Sequence, residues 1–173
     1  KDQILHSENI NNYKIILFAW PFIQFFLLFG SIIVICFFDH LSVLEAIILM
    51  LVQGMISGAV GITFAHELMH QKTKFERFLS DLLMGMAFYG HFRTEHVHVH
   101  HRFVGTKKDA VTARYNESFY TFFLRVIPEC LKSAWKVETS RLVGKNKSIF
   151  DFSNPFYVYL TLALFFLLLS FFI

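Results

Sequence analysis

Residues 46–70 read AIILMLVQGMISGAVGITFAHELMH and join a long apolar stretch directly to a pair of histidines. Residues 46–65 contain no Asp, Glu, Lys or Arg, and as a helix they are long enough to cross about 30 Å of hydrocarbon. At about 1.5 Å per residue, such a helix delivers His66 and His70 to the edge of the membrane. The stretch therefore predicts a membrane span that ends in a histidine-bearing turn.

Two more stretches, residues 15–38 and 156–173, are equally free of charged side chains. Hydrophobic residues make up 55% of the chain, which is more than a soluble domain usually carries. We predict an all-α fold, a polytopic membrane helix bundle with about three transmembrane helices and amphipathic helices on the cytoplasmic side. Because the chain starts with Lys1 and stops within an apolar run, residues 1–173 are expected to form a single, partial membrane domain.

Basic residues predict the orientation of these spans. Fourteen of the 16 Lys and Arg residues lie between Gln71 and Asn154, which separates the second span from the third. The positive-inside rule places this region in the cytoplasm. Eight carboxylates share the region, so the net charge of +3 indicates topology and no nucleic-acid partner.

Five histidines in two clusters have the spacing of metal ligands. His66 and His70 are four residues apart and share a helix face, and so do His96 and His100. His101 follows with its ring displaced about 100° around the helix. All-nitrogen ligation suits iron, zinc or copper, and with only two cysteines neither a thiolate site nor a disulfide framework is indicated.

The other histidines are given lesser roles. His98 should point to a different side of the helix and is interpreted as a bystander, whereas His91 is placed to hydrogen-bond a ligand. His6 and His40 stand alone as ordinary surface residues. The plainer alternative for the clusters is a polar helix end or a pH-responsive patch.

Two functional alternatives use the same histidines. The HELMH segment at residues 66–70 matches the H-E-x-x-H pattern of zinc proteases, although a protease leaves the second cluster unused. A metal transporter would carry ligands at mid-membrane, whereas here the histidines lie beyond the end of the second span. A dinuclear centre for oxygen chemistry uses both clusters.

Two flanking segments and three aromatic residues complete the prediction. Residues 79–92 are predicted to form a shallow or re-entrant helix, because the stretch is apolar but too short to cross unaided. Residues 119–137 read as a helix that lies along the membrane interface. Trp20, Phe64 and Phe88 are interpreted as packing groups in preference to the lining of a substrate path.

An extended run of motifs resembles the integral-membrane alkane hydroxylases. It comprises H-x-x-x-H at His66 and His70, Gly90-His91-Phe92, E-H-x-x-x-H-H at Glu95–His101, VGTKKD at Val104–Asp109 and RYNES at Arg114–Ser118. The match covers roughly residues 50–140. This chain has Gly105, Ala110 and Asn116 where the family usually carries Ala, Pro and Gly.

The resemblance implies a membrane monooxygenase with two non-haem iron ions, which inserts one atom of O2 into the terminal methyl group of an alkane. It further implies rubredoxin as the electron donor, alkane entry from the bilayer, and a bacterial inner membrane with the site on the cytoplasmic side. Xylene-type methyl hydroxylases and fatty acyl desaturases remain the alternatives within the superfamily. Arg102, Lys107 and Lys108 form a basic edge that either meets an acidic electron carrier or reflects only the positive-inside bias.

Carried over by position, the resemblance assigns the metal ligands and the groups that orient them. The ligands are His66, His70, His96, His100 and His101. Glu67, Glu95, Asp109 and His91 are the groups expected to orient the rings. The family's third histidine cluster is absent, so this piece is expected to hold about half of the ligand set and to be inactive alone.

Overall fold

The computed structural model describes the backbone of residues 2–173 and the side chains of residues 12–173, and every regular element in it is a helix. His6 lies outside the described side chains. The elements are α1 Asp2–Phe37, α2 Val43–Met55, the first π-helix Ile56–Gly61, α3 Ile62–Met69, α4 Lys74–Met86, α5 Phe92–Glu95, the second π-helix His96–His100, α6 His101–Phe103, α7 Phe119–Val143 and α8 Phe156–Phe172. The all-α prediction is confirmed.

Two helical rods are long and apolar enough to cross a membrane, namely Asn12–Phe37 and Val43–Met69. The second rod comprises α2, the first π-helix and α3, so the helix does continue to the histidines as predicted. In the most apolar 18 residues of each rod, only 17% and 6% of the residues are buried inside the protein. Most of their side chains are therefore exposed, as in helices that face lipid. Phe156–Phe172 adds a shorter apolar helix, and the three predicted spans are confirmed as apolar helices.

The chain divides into two compact units, Lys1–Phe88 with Leu162–Ile173 and Tyr89–Thr161. In the first unit α3 and α4 form a hairpin, in which the Ser80 hydroxyl donates to the Ala65 carbonyl over 2.8 Å. Leu68, Leu83 and Met84 are fully buried between the hairpin's helices and their neighbours. The hairpin therefore holds the end of the second rod, where the first histidine cluster lies.

The predicted helix at residues 79–92 is wrong at both ends. It begins at Lys74, because Thr73 and Glu76 form a capping box in which each side chain accepts a hydrogen bond from the other residue's backbone N–H. It ends at Met86, and Phe88 follows with a φ of 54°. That left-handed conformation is incompatible with a continuing right-handed helix.

A buried polar contact joins α1 to the first π-helix inside the first unit. Gln24 is fully buried, and its amide fills the space over Gly61 that any larger residue would occupy. Trp20 donates its indole N–H to Gln24 Oε1 over 3.0 Å and stacks on Phe64 with 5.0 Å between the ring centroids. Trp20 and Phe64 thus pack on each other, in line with the packing interpretation.

The second unit is built on α7, to which the loop after the second histidine cluster is tied. Arg125 of α7 donates to Glu117 over 2.6 and 2.7 Å and to the Ala110 carbonyl over 2.9 Å. These hydrogen bonds lower the pKa of Glu117 to about 2. Asn116, one of the departures from the family, has a φ of 57°, a conformation that Asn tolerates almost as Gly does.

The other face of α7 carries exposed apolar side chains at helical spacing. Tyr120, Leu124, Ile127 and Leu131 are between 42% and 79% exposed. Such a stripe fits a helix lying in the membrane interface, as the sequence predicts.

Gly90 is the point at which the segment before the histidines packs against the start of α8. A Cβ at Gly90 would lie 2.8 Å from Tyr159 Cβ and 3.2 Å from Tyr159 Cα. Backbone cannot move aside as a side-chain end can, so we expect Gly90→Ala to lower the melting temperature in detergent by roughly 2–10 °C. Gly54→Ala is the matched control, because nothing lies within 4 Å of its Cβ position. Equal melting temperatures for the two variants would contradict this packing.

Candidate metal centre

The first histidine pair lies at the end of the second rod, in the first unit. His66 is in the last turn of α3 and His70 caps that helix. Their ring centroids are 4.8 Å apart, and each ring offers a nitrogen within 4.8 Å of one on the other. Glu67 lies between them and accepts a hydrogen bond from the Gln71 amide over 2.8 Å. The i, i+4 spacing thus brings two imidazoles together at the end of the second apolar rod.

The second cluster, in the second unit, is shaped by a π-helix. The His101 N–H donates to the His96 carbonyl, which is the i to i−5 bond of that helix type. Residues five apart therefore share a face, and Nε2 of His101 lies 2.9 Å from Nε2 of His96. The predicted displacement of the His101 ring by about 100° around the helix assumed α-helical spacing, whereas the π-helix places this ring beside that of His96.

A separation of 2.9 Å fits shared coordination. Imidazole nitrogens bind transition metals at about 2.0–2.1 Å, so two of them in neighbouring coordination positions lie about 3 Å apart. Without a cation, two nitrogens at this distance must share a single proton. The pair formed by His96 and His101 thus has the donor chemistry and the spacing for one metal ion.

His100 is held by a carboxylate. Its Nδ1 lies 3.0 Å from Asp109 Oδ2, and Asp109 also accepts from the Thr112 hydroxyl over 2.6 Å and from the Val111 N–H over 3.1 Å. A carboxylate at Nδ1 selects the tautomer with the proton on that nitrogen, which leaves the Nε2 lone pair for a metal. Asp109 therefore holds the His100 ring by a hydrogen bond, and its role toward a metal ligand stays a prediction.

Glu95 precedes the cluster, and its carboxyl group is buried. The residue is fully buried, and neither carboxylate oxygen has a hydrogen-bond partner among the described residues. Burial, aided by the negative charge of Asp109, raises the pKa of Glu95 to about 7. A cation bound beside the imidazoles would stabilise the charged form of this buried carboxyl group. The residues of this unit therefore fit a metal ion.

His91 and His98 have separate surroundings. His91 packs edge-on against Tyr89, its Nε2 is buried without a partner among the described residues, and burial lowers its pKa to about 4. Its proposed role toward a ligand stays a prediction. His98 is exposed, and its Nε2 lies 3.3 Å from Nη1 of Arg141 on α7.

Cys130 packs in the core of the second unit beneath this cluster. Burial raises the pKa of its thiol to about 12, so it stays protonated and cannot serve as a thiolate ligand. Both cysteines are free, as the sequence predicts.

Thr94, Glu138 and Tyr159 form a buried hydrogen-bonded group that the sequence analysis missed. Their side chains meet within 3 Å although they are 44 and 65 residues apart along the chain. No sequence period links these three positions, so no signal for the group was present in the sequence.

The pattern that defines the fatty acid desaturase family matches residues 40–173. The chain is 40% identical over 134 residues to alkane 1-monooxygenase 1 of Alcanivorax borkumensis, covering 76% of this chain and 33% of that protein. It is 36% identical over 136 residues to the alkane 1-monooxygenase of Pseudomonas putida, covering 78% and 34%. It is 32% identical over 111 residues to the hydroxylase component of a xylene/toluene monooxygenase from Pseudomonas putida, covering 63% and 30%.

The chain thus spans about a third of the length of the curated relatives it matches. Family membership and the clustered histidines together imply a metal centre in a membrane protein. The resemblance found in the motifs is confirmed at the level of the family. The chain belongs to the fatty acid desaturase family, and over most of its own length it is similar to alkane 1-monooxygenases.

Proposed function

We propose that this protein is a membrane alkane hydroxylase, which converts the terminal methyl group of an alkane to a primary alcohol with O2 and electrons from rubredoxin. The metal is a pair of non-haem irons. The observation that carries the proposal is the 2.9 Å approach of His96 Nε2 to His101 Nε2, next to the buried carboxyl group of Glu95. The alkane 1-monooxygenases among its relatives supply the reaction.

The proposed ligands are His66 and His70 from the first unit and His96, His100 and His101 from the second. Asp109 orients His100 through its 3.0 Å contact, and Glu67, Glu95 and His91 are assigned the same kind of role toward neighbouring ligands. His66 and His70 are four residues apart, and so are His96 and His100. This repeated spacing and the family motifs support the assignment of both histidine clusters to one centre. His98 is left out, because its ring nitrogen contacts Arg141.

Hydroxylation of an alkane consumes O2, two electrons and two protons and releases the alcohol and one water. An unactivated C–H bond yields only to a strong oxidant, which iron bound here would supply from dioxygen. Because the spent electrons must be replaced each turnover, the reaction requires a reduced carrier. An open cavity of about 520 Å³ is lined by Lys107, Arg114 and Arg125 and also by Asp109 and Glu129, so it presents a small excess of basic side chains to an acidic carrier.

The substrate and the membrane location follow from the surroundings of the site. An alkane dissolves in the bilayer and reaches a site at the end of an apolar rod without crossing water. The excess of basic residues between the second and third spans supports a site on the cytoplasmic side, in the inner membrane of a bacterium.

The test uses the full-length protein in sealed membrane vesicles. Metal analysis and Mössbauer spectroscopy should detect a pair of irons, and octane should be oxidised to 1-octanol when rubredoxin and its reductase are added. Added rubredoxin should support the reaction in inside-out vesicles and fail to do so in right-side-out vesicles, because the site faces the cytoplasm.

A second candidate is hydroxylation of aryl methyl groups, which the similarity to the xylene/toluene monooxygenase component favours. Iron with oxidation of xylene and none of octane would select it. Zinc with proteolytic activity would reject both oxygenase reactions in favour of a membrane protease that uses HELMH.

A further inference from the structure

Thr94 stands directly before the histidine-bearing π-helix and joins three helices through one hydroxyl group. It lies in α5, and its Oγ1 is 2.8 Å from Glu138 Oε1 on α7 and 2.9 Å from the Tyr159 hydroxyl on α8. The three residues are between 2% and 6% exposed. Hydrogen bonds in such an environment are strong, because few water molecules compete for the same groups.

The direction of each hydrogen bond follows from the groups present. A carboxylate can only accept, so the Thr94 hydroxyl donates its one proton to Glu138. The Tyr159 hydroxyl must then donate to Thr94. The result is a directed chain from Tyr159 through Thr94 to Glu138, in which each donor has one acceptor.

Glu138 is fixed in place independently of Thr94. Nη1 of Arg141, one turn along α7, donates to both of its carboxylate oxygens over 3.0 Å. Both carboxylate oxygens of Glu138 thus have a partner other than Thr94. The anchor on α7 is therefore preformed.

Tyr159 is likewise held by the segment that leads to the histidines. The Arg93 guanidinium lies 5.5 Å from the centroid of its ring, and Gly90 packs directly against its Cβ. The start of the histidine helix is thus bound on one side to α7 and on the other to α8.

A π-helix needs such anchors. It is rare and less favourable than an α-helix, to which the same residues would relax if their ends were free. In an α-helix, residues five apart are displaced by about 140° around the axis. His96 and His101 would then leave their common face, and their nitrogens would no longer lie 2.9 Å apart.

We propose that Thr94, held by Glu138 and Tyr159, is a positioning residue that maintains the π-helical turn and so keeps His96 and His101 in register for one metal ion. The proposal rests on the proposed function for the existence of that ion. It assigns no contact with substrate to these residues. Thr94, Glu138 and Tyr159 act on the metal ligands only by fixing the backbone conformation of residues 96–101.

The test compares Thr94→Val with Thr94→Ser in the full-length protein. Valine keeps the shape and removes the hydroxyl, so we expect Fe²⁺ affinity, measured with a competing chelator, to fall by roughly 10–100-fold. The Mössbauer quadrupole splitting should change, because the geometry of the ligands changes. Serine retains the hydroxyl and should recover most of the affinity and the original spectrum.

Thr139→Val on α7 is the matched control. The Thr139 hydroxyl is exposed and bonds the carbonyls of Trp135 and Lys136 in its own helix. This variant should bind Fe²⁺ as the wild type does. Tyr159→Phe removes one donor and leaves the bond from Thr94 to Glu138, so its loss of affinity should be smaller than that of Thr94→Val.

Unchanged Fe²⁺ affinity and an unchanged spectrum in Thr94→Val would overturn the inference, while iron in the wild type would leave the proposed function standing. Absence of iron from the wild type would overturn both. If Thr94→Val fails to fold, Tyr159→Phe decides the matter, because an unaltered spectrum in that variant shows that the anchor does not act on the ligands.

Discussion

Replacement of His66 or His96 by alanine should abolish alkane hydroxylation and remove bound iron. Each imidazole supplies one nitrogen at a position where a second lies close by, His70 for the first and His101 for the second. Losing a ligand should cost more than the roughly 10–100-fold that changes to the supporting groups cause. The measurements are iron per protein chain and 1-octanol formed per iron, so that loss of metal is separated from loss of chemistry in the remaining centre.

His98→Ala is the control for these two variants. His98 lies within the same cluster, but its Nε2 contacts Arg141, which Glu138 also binds twice. Alanine at this exposed position should leave iron content and turnover close to wild type. Loss of iron in His98→Ala, or its full retention in His96→Ala, would show that the ligand assignment is wrong.

The spans could be predicted from the sequence because the hydrocarbon core of a membrane requires a long run of residues without charged side chains. The predicted second span at residues 46–65 falls inside the observed rod Val43–Met69, which begins at the capping box of Ser42 and Glu45. The pairing of His66 with His70 was equally accessible, since it depends only on the pitch of an α-helix. Local rules were enough for both features.

The pairing of histidines in the second cluster could not be predicted in the same way. It depends on a π-helix, and no pattern of residue types in the sequence indicates this type of helix. Spacing by four suggested His96 with His100, whereas the π-helix brings His101 onto the nitrogen of His96. A π-turn persists only where tertiary contacts hold it, and those contacts come from Glu138 and Tyr159, far along the chain. The roles of Glu138 and Tyr159 and the pairing of His96 with His101 were therefore missed for the same reason, because both depend on contacts between residues far apart in the sequence.

Asp109→Asn should lower turnover and Fe²⁺ affinity by roughly 10–100-fold with little loss of folded protein. The carboxylate accepts the proton of His100 Nδ1, which leaves Nε2 free to bind metal. An asparagine amide can turn its NH2 group toward that nitrogen instead, which favours the tautomer with the proton on Nε2. That tautomer has no lone pair for a metal at the position where one is required.

Asp151→Asn provides the matched control for this substitution. Asp151 also accepts several hydrogen bonds, from Ser153 and Lys147, but it lies in the turn before α8 and contacts no histidine. It should retain iron and turnover, although its turn is weakened. If Asp109→Asn retains iron and turnover as Asp151→Asn does, the Asp109 carboxylate stabilises only the loop. The orientation of the His100 ring would then be set by the bound metal. If only Asp109→Asn loses iron, the tautomer argument accounts for the difference, because both variants exchange the same atoms.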